Sequence, residues 1–92
     1  MSSSAEALVT IINKRGLHAR AAAKVCETAR RFEAKITFSK DGVTVGARSL
    51  MALLMLGAGI GSEVRIAAEG ADASEAVAAM QALVEARFEE SE

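Results

Sequence analysis

The only histidine of this 92-residue sequence, His18, lies where a strand and a glycine-containing turn lead into a helix. The first turn of a helix has unpaired backbone N–H groups and the positive end of the helix dipole, which together favour an anion such as phosphate. Ala19 and Ala21 would supply N–H groups of that turn. Because a neutral imidazole is a nucleophile near neutral pH, His18 is a candidate for attack on phosphorus.

Basic residues are concentrated around this histidine. Arg20 follows it by two positions, and Lys14, Arg15 and Lys24 lie nearby in the sequence. Phosphoryl transfer mainly requires that groups be positioned and that charge on the equatorial oxygens be stabilised, so this site needs no internal base. The spacing alone is equally compatible with an exposed histidine at a helix start that has no chemical role.

Other kinds of site lack the residues that they require. A serine-hydrolase site would need a nucleophile elbow, and a zinc site would need more ligands than Cys26 and His18. Cys26 falls on the apolar side of a predicted helix, which favours a packed thiol over a reactive one. The glycines at 57, 59 and 61 follow a helix and precede a strand, the reverse of a dinucleotide-binding order.

The composition narrows the class of protein further. The net charge is −1 and only 3% of residues are aromatic, which argues against an RNA-binding module and any other nucleic-acid partner. No apolar run is long enough for membrane insertion, no signal peptide is evident, and one cysteine cannot form an internal disulfide. We therefore expect a cytoplasmic protein.

Hydrophobic periodicity predicts the elements that position these residues. Alternation indicates strands over 6–12, 35–39, 43–45 and 63–68, whereas three-and-four spacing indicates helices over 19–32 and from 72 onward. A run of strong helix formers that Gly57 stops indicates a short helix over 50–56. Asp41-Gly42 is a two-residue hairpin signal, and Asp72 should cap the last helix, whose apolar stripe ends at Phe88. We predict one α+β domain over 1–92, flexible at 1–4, with a β-α-β-β-α-β-α order: a four-stranded, mainly antiparallel sheet covered on one face by three helices.

The short second helix carries two further candidate features. Ser49 precedes it and should act as its N-cap. Its leucines and methionines are too continuous to be buried together, so some should face solvent and form an adaptable docking surface, for which Leu50, Met51 and Leu54 are the candidates. The alternative is an ordinary core helix.

The segment Gly16-Leu17-His18-Ala19-Arg20-Ala21-Ala22 resembles the G-[IL]-H-[AT]-R-P-A active-site signature of the HPr phosphocarrier family. Two further segments, Arg48-Ser49-Leu50-Met51 and Glu69-Gly70-Ala71-Asp72, resemble that family's regulatory-serine region and the turn before its last helix. The resemblance implies the same open-faced β-sandwich. It also implies that His18 is phosphorylated on Nδ1, with Arg20 facing the phosphate.

The same resemblance implies the partners. Enzyme I, phosphorylated from phosphoenolpyruvate, would donate to His18, an Enzyme IIA-type acceptor would receive the group, and an HPr kinase/phosphorylase would modify Ser49. The chain would then be a monomeric carrier, not an enzyme, with no cofactor or metal. A rival hypothesis is a nitrogen-type phosphotransferase system, in which the phosphorylation state of the chain regulates partners without sugar transport.

The family's usual proline after the arginine is replaced here by Ala21. Alanine restores a backbone N–H at the helix start that proline would lack. The substitution therefore affects the expected geometry of the site and its preference for donors more than its activity.

Overall fold

A computed structural model describes residues 3–90 and contains one antiparallel sheet with the strand order β1-β4-β2-β3. The strands are β1 (Ser4–Thr10), β2 (Lys35–Lys40), β3 (Val43–Gly46) and β4 (Glu63–Glu69). The helices are α1 (Ala19–Ala29), α2 (Leu50–Met55) and α3 (Ala73–Glu85). The predicted fold class and β-α-β-β-α-β-α order are confirmed.

The core lies between one face of the sheet and the helices. Alternate residues of β2 and β4 are buried, as the period of two in their sequences predicts. Alanines occupy much of the helical side and allow the helix backbones to approach the sheet closely. The largest fully buried side chains of the core are those of Phe38, Phe88, Ile11, Leu53, Ile66 and Met80.

The β2–β3 hairpin turns at Asp41 and Gly42, as predicted. Both residues have positive φ, 50° and 82°, and Lys40 pairs with Val43 across the turn. Two consecutive positive φ values are the geometry of the tight turn whose twist matches that of the flanking strands.

The first strand begins earlier than predicted. Ser4 pairs with Glu69, and the carbonyl of Ser3 accepts a hydrogen bond from the N–H of Gly70 at 2.8 Å, so these two residues are held to β4 rather than frayed. Met1 and Ser2, also predicted to be flexible, lie outside the described residues. β1 ends at Thr10, so Ile11 lies beyond the strand, and its backbone forms hydrogen bonds with the loop before β4.

Both long helices end sooner than the hydrophobic pattern predicted. Tight turns follow α1, where Phe32 donates to the carbonyl of Ala29. α3 ends at Glu85, and Phe88, predicted on its apolar stripe, lies instead in a turn in which three consecutive residues have positive φ. Phe88 is nevertheless fully buried. Burial of a large ring offsets backbone strain that non-glycine residues rarely accept.

Asp72 occupies the predicted N-cap position of α3, but its side chain does not cap that helix. Its carboxylate accepts hydrogen bonds from the backbone N–H groups of Glu33 at 3.0 Å and Ala34 at 2.8 Å. These bonds, the one from Glu33 foremost, lower the pKa of Asp72. The prediction of a side-chain cap was wrong because the loop before β2 passes close enough to compete for the carboxylate.

No helix within residues 3–90 is long and apolar enough to cross a membrane.

Candidate functional site

The loop before α1 folds around one carbonyl group. The Gly16 carbonyl accepts hydrogen bonds from the side-chain amide of Asn13 and from the backbone N–H of His18, both at 2.9 Å. The N–H of Gly16 donates back to the Asn13 carbonyl at 3.2 Å. Asn13 is fully buried, and its hydrogen bond to the Gly16 carbonyl fixes the backbone before His18. Sequence analysis missed this role, because an asparagine in a turn carries no signal of burial.

A second contact fixes the same loop from the other side. Leu17 donates its N–H to the carbonyl of Ala58 at 2.8 Å. Gly16 has a φ of +63°, and a Cβ added there would lie 2.5 Å from the Ala58 oxygen and 2.7 Å from the Cα of Gly59. No residue with a side chain fits this position without movement of backbone. The glycine-rich loop after α2 is therefore a support for the His18 loop.

His18 is the N-cap residue of α1, with extended backbone angles and no capping hydrogen bond from its side chain. The ring is half-buried, and its Nε2 atom is buried without a hydrogen-bond partner among residues 3–90. Nδ1 is not among the buried, unpaired atoms. The ring is thus oriented with Nε2 inward, which leaves Nδ1 as the nitrogen that a reactant could approach.

The first turn of α1 is open. Its first helical hydrogen bond runs from the N–H of Ala22 to the carbonyl of His18 at 2.8 Å. Within the described part of the chain, the N–H groups of Ala19, Arg20 and Ala21 have no acceptor. Three unpaired donors beside an imidazole form a site for an anion. Ala21 contributes the N–H that a proline would remove.

Arg20 and Lys24 lie one helical turn apart and share one acidic partner that sequence analysis did not identify. The Nη1 atom of Arg20 lies 3.4 Å from Oε1 of Glu90, and the Nζ atom of Lys24 lies 2.8 Å from Oε2. The hydrogen bond from Lys24 is the main cause that lowers the pKa of Glu90. Lys14 and Arg15, the other predicted basic residues, are exposed before the helix.

Ser49 lies at the start of α2 and caps it as predicted. Its Oγ accepts a hydrogen bond from the N–H of Ala52 at 3.2 Å, and the residue is exposed. Cys26 is buried in α1, and burial raises the pKa of its thiol. These placements agree with a capping serine and a packed thiol.

The candidate docking residues of α2 differ in exposure. Leu50 and Met51 are exposed, whereas Leu54 is half-buried and packs against the core. Met55, at 81% exposure, and Ile60 present more apolar surface than Leu50 does, although neither was a candidate. A six-residue helix can bury one side only, and Leu53 is its buried residue.

Comparison with known proteins identifies the family of the chain. The family model described as the PTS HPr component phosphorylation site matches residues 5–86. The chain is 48% identical to phosphocarrier protein HPr of Cupriavidus necator, over 90% of this chain and 93% of that one, and 44% identical to phosphocarrier protein NPr of Shewanella violacea, over 94% of both. The crystal structure of HPr-C-His from Thermoanaerobacter tengcongensis has a TM-score of 0.91 and 41% identity, covering 96% of this chain and 99% of that one. The chain belongs to the HPr family of phosphotransferase-system phosphocarriers.

Proposed function

We propose that the chain accepts a phosphoryl group from phosphorylated Enzyme I on Nδ1 of His18 and passes it to an Enzyme IIA-type acceptor in the cytoplasm. The supporting observation is the orientation of the ring at an open helix start. Nε2 is buried, and three backbone N–H groups beside the ring have no acceptor within residues 3–90.

The transfer is a displacement at phosphorus. The lone pair on Nδ1 forms the new N–P bond while the bond from phosphorus to the donor's leaving atom breaks, and that atom keeps the electron pair. The proton on Nε2 stays in place, so the step needs no base. The N–H groups of Ala19 and Ala21 and the guanidinium of Arg20 would stabilise the phosphoryl oxygens. A second displacement delivers the group: a nucleophile of the acceptor forms its bond to phosphorus while the N–P bond breaks and Nδ1 keeps the electron pair. His18 is thereby restored, so the chain is a carrier and not an enzyme.

Partners would dock beside this site. The loop after α2 lies against the His18 loop, and Leu50 and Met51 of α2 are exposed. Leu54 would contribute less, since it already packs against the core. Exposed methionines adapt to partners of different shape, as a carrier between a donor and several acceptors requires.

Ser49 is the proposed regulatory site, modified by an HPr kinase/phosphorylase. We expect phosphorylation there to slow phosphorylation of His18 through electrostatic repulsion and blocked docking along α2. The test compares rates of His18 phosphorylation for wild type, Ser49→Asp and Ser49→Ala. A slower rate for the aspartate variant alone supports coupling, and equal rates for all three would count against it.

A regulatory role in a nitrogen-type system is the second candidate, favoured by the 44% identity to an NPr protein. In that case the chain would still be phosphorylated on His18, but it would act through regulatory partners without sugar transport. The two roles separate when phosphorylated chain is offered a sugar-specific acceptor and a nitrogen-type acceptor. The role whose acceptor is not phosphorylated is excluded.

The direct test of the proposal is incubation with phosphoenolpyruvate and Enzyme I, followed by intact mass measurement at alkaline pH, where a phosphoramidate survives. Wild type should gain one phosphoryl group, and His18→Ala should gain none. A wild-type chain that stays unmodified with a panel of active Enzyme I proteins would overturn the site assignment.

A further inference from the structure

Two buried polar atoms of the His18 loop have no hydrogen-bond partner among residues 3–90: Nε2 of His18 and Oδ1 of Asn13. In that part of the chain, every other buried side-chain nitrogen or oxygen atom has a partner. Polar atoms in protein interiors are nearly always hydrogen-bonded, because burial without a partner is costly. Two such atoms in one short loop therefore point to an interaction between them.

Both residues are tied to the same carbonyl group. The Nδ2 atom of Asn13 and the backbone N–H of His18 each donate to the Gly16 oxygen at 2.9 Å. Because Nδ2 makes this bond, the remaining atom of the amide is its carbonyl oxygen; the reversed amide would set two oxygens against each other. Asn13 therefore has a fixed, buried acceptor in the loop that carries the His18 ring.

The two unpaired atoms are chemically complementary. Oδ1 of Asn13 can only accept a hydrogen bond, whereas Nε2 of His18 donates one when it carries the proton of the neutral ring. A proton on Nδ1 instead would leave the lone pairs of Oδ1 and Nε2 buried in the same loop without a donor. The loop therefore favours the tautomer in which Nε2 is protonated and the lone pair of Nδ1 is free.

We propose that Asn13 is a positioning residue for phosphoryl transfer: its Oδ1 atom accepts the Nε2–H of His18, directly or through one buried water, and so keeps Nδ1 unprotonated. This inference rests on the proposed function, in which Nδ1 is the nucleophile. The side chain of Asn13 then has two tasks, since its Nδ2 atom holds the backbone at Gly16 while its Oδ1 atom holds the ring.

The same hydrogen bond becomes stronger during transfer. When Nδ1 bonds to phosphorus while Nε2 keeps its proton, the ring becomes an imidazolium cation, and hydrogen bonds to charged groups are about twice as strong as neutral ones. In the second displacement, Nδ1 takes back the electron pair of the N–P bond, and the ring leaves as neutral imidazole with its proton still on Nε2. Asn13 therefore assists both displacements by keeping that proton in place.

The direct test is NMR of the isotope-labelled ring nitrogens of His18 at alkaline pH, where an imidazole is neutral and its nitrogen shifts report the tautomer. In wild type the proton should reside almost entirely on Nε2. Asn13→Ala should lower the ratio of the Nε2–H to the Nδ1–H tautomer about two- to tenfold. Asn13→Asp keeps an acceptor but loses the donor to Gly16, and it should hold the ratio near the wild-type value.

The rate of phosphorylation by Enzyme I at the same alkaline pH is the second readout. Asn13→Ala should slow it about tenfold, because the positive charge that develops on the ring loses its acceptor. Asn13→Asp should recover most of the rate. A role in loop stability alone predicts no such recovery, since both variants lack the bond to the Gly16 carbonyl.

The matched control is Asp72→Asn. The carboxylate of Asp72 also binds backbone N–H groups, those of Glu33 and Ala34, but it serves the turn before α3. This variant should lose stability in urea while keeping the wild-type tautomer ratio and rate. Urea unfolding of the Asn13 variants shows how much stability each has lost, so that an effect on the ring is separated from a general loss of fold.

The outcomes separate this inference from the proposed function. Equal tautomer ratios in wild type and Asn13→Ala would overturn the role of Asn13, and so would an equal fall in Asn13→Ala and Asn13→Asp. In both cases the carrier function would stand, because the tautomer is measured in the unmodified chain. If wild type shows the expected tautomer but is never phosphorylated, the proposed function fails and takes the role of Asn13 in transfer with it.

Discussion

The first two helices begin in opposite ways. α1 starts at His18, whose side chain makes no capping hydrogen bond, and the N–H groups of its first turn have no acceptor within residues 3–90. α2 starts at Ser49, whose hydroxyl satisfies the N–H of Ala52. An uncapped helix end gives up some stability and keeps its donors for a ligand. A capped end has already used one of its donors, here the N–H of Ala52, to bind its own serine hydroxyl.

The largest loss of stability is expected from a substitution of Gly16, in the loop that leads to the open first turn of α1. Gly16→Ala should destabilise the fold by about 3 kcal/mol, because it combines a positive φ with a contact of 2.5 Å to the Ala58 oxygen. It should also reduce His18 phosphorylation, since the loop must move. Gly42→Ala is the matched control, with a similar φ and nothing within 4 Å, and it should cost only about 1 kcal/mol. Equal urea midpoints for the two variants would disprove the role of crowding.

The buried asparagine of the same loop should matter nearly as much. Asn13→Ala removes the side-chain donor to the Gly16 carbonyl and should cost about 1 to 2 kcal/mol. Because that carbonyl also accepts from the His18 N–H, we expect slower phosphorylation of His18 as well. Urea unfolding and the rate of phosphorylation by Enzyme I are the two measurements. A variant that loses stability but keeps the wild-type rate would show that Asn13 serves the fold alone.

Substitutions at the two N-cap positions, His18 and Ser49, test this comparison directly. Ser49→Ala should lower the free energy of unfolding by about 1 kcal/mol, because it removes the cap of α2. The same preference should hold at the other helix: His18→Ser should be more stable than His18→Ala by about 0.5 to 1 kcal/mol, because a hydroxyl would accept a hydrogen bond from the open first turn. Both His18 variants should accept no phosphoryl group. Chemical denaturation of all four proteins checks the signs.

The third helix start gives a smaller, pH-dependent effect. The pKa of Asp72 is lowered in the folded protein by hydrogen bonds from Glu33 and Ala34, so its ionised form contributes stability at neutral pH. That contribution is lost as the pH falls through the folded pKa. Asp72→Asn should therefore be less stable than wild type at pH 7, with a difference that narrows in acid. A difference that is constant from pH 7 to pH 3 would contradict this assignment.

Sequence patterns were sufficient for features that depend on local periodicity and on short motifs. The strand and helix order, the Asp41-Gly42 turn and the Ser49 cap follow from residues close together in the chain. His18 was placed at a helix start by the same local signals. The ends of the elements were less predictable: α3 stops at Glu85 although its apolar spacing continues to Phe88, because burial of that ring does not require a helix.

The features that only the tertiary structure decided involve partners distant in sequence. Glu90 meets Arg20 and Lys24 about seventy residues away, and Asp72 binds the loop before β2 instead of its own helix. Periodicity carries no information about which of two nearby donors a carboxylate will choose. The sequence by itself thus determined the order of the strands and helices and the position of His18 at a helix start. The packing of distant segments decided which nitrogen of the His18 ring is accessible and which carboxylate Arg20 contacts. Both features depend on atoms that come together only after folding.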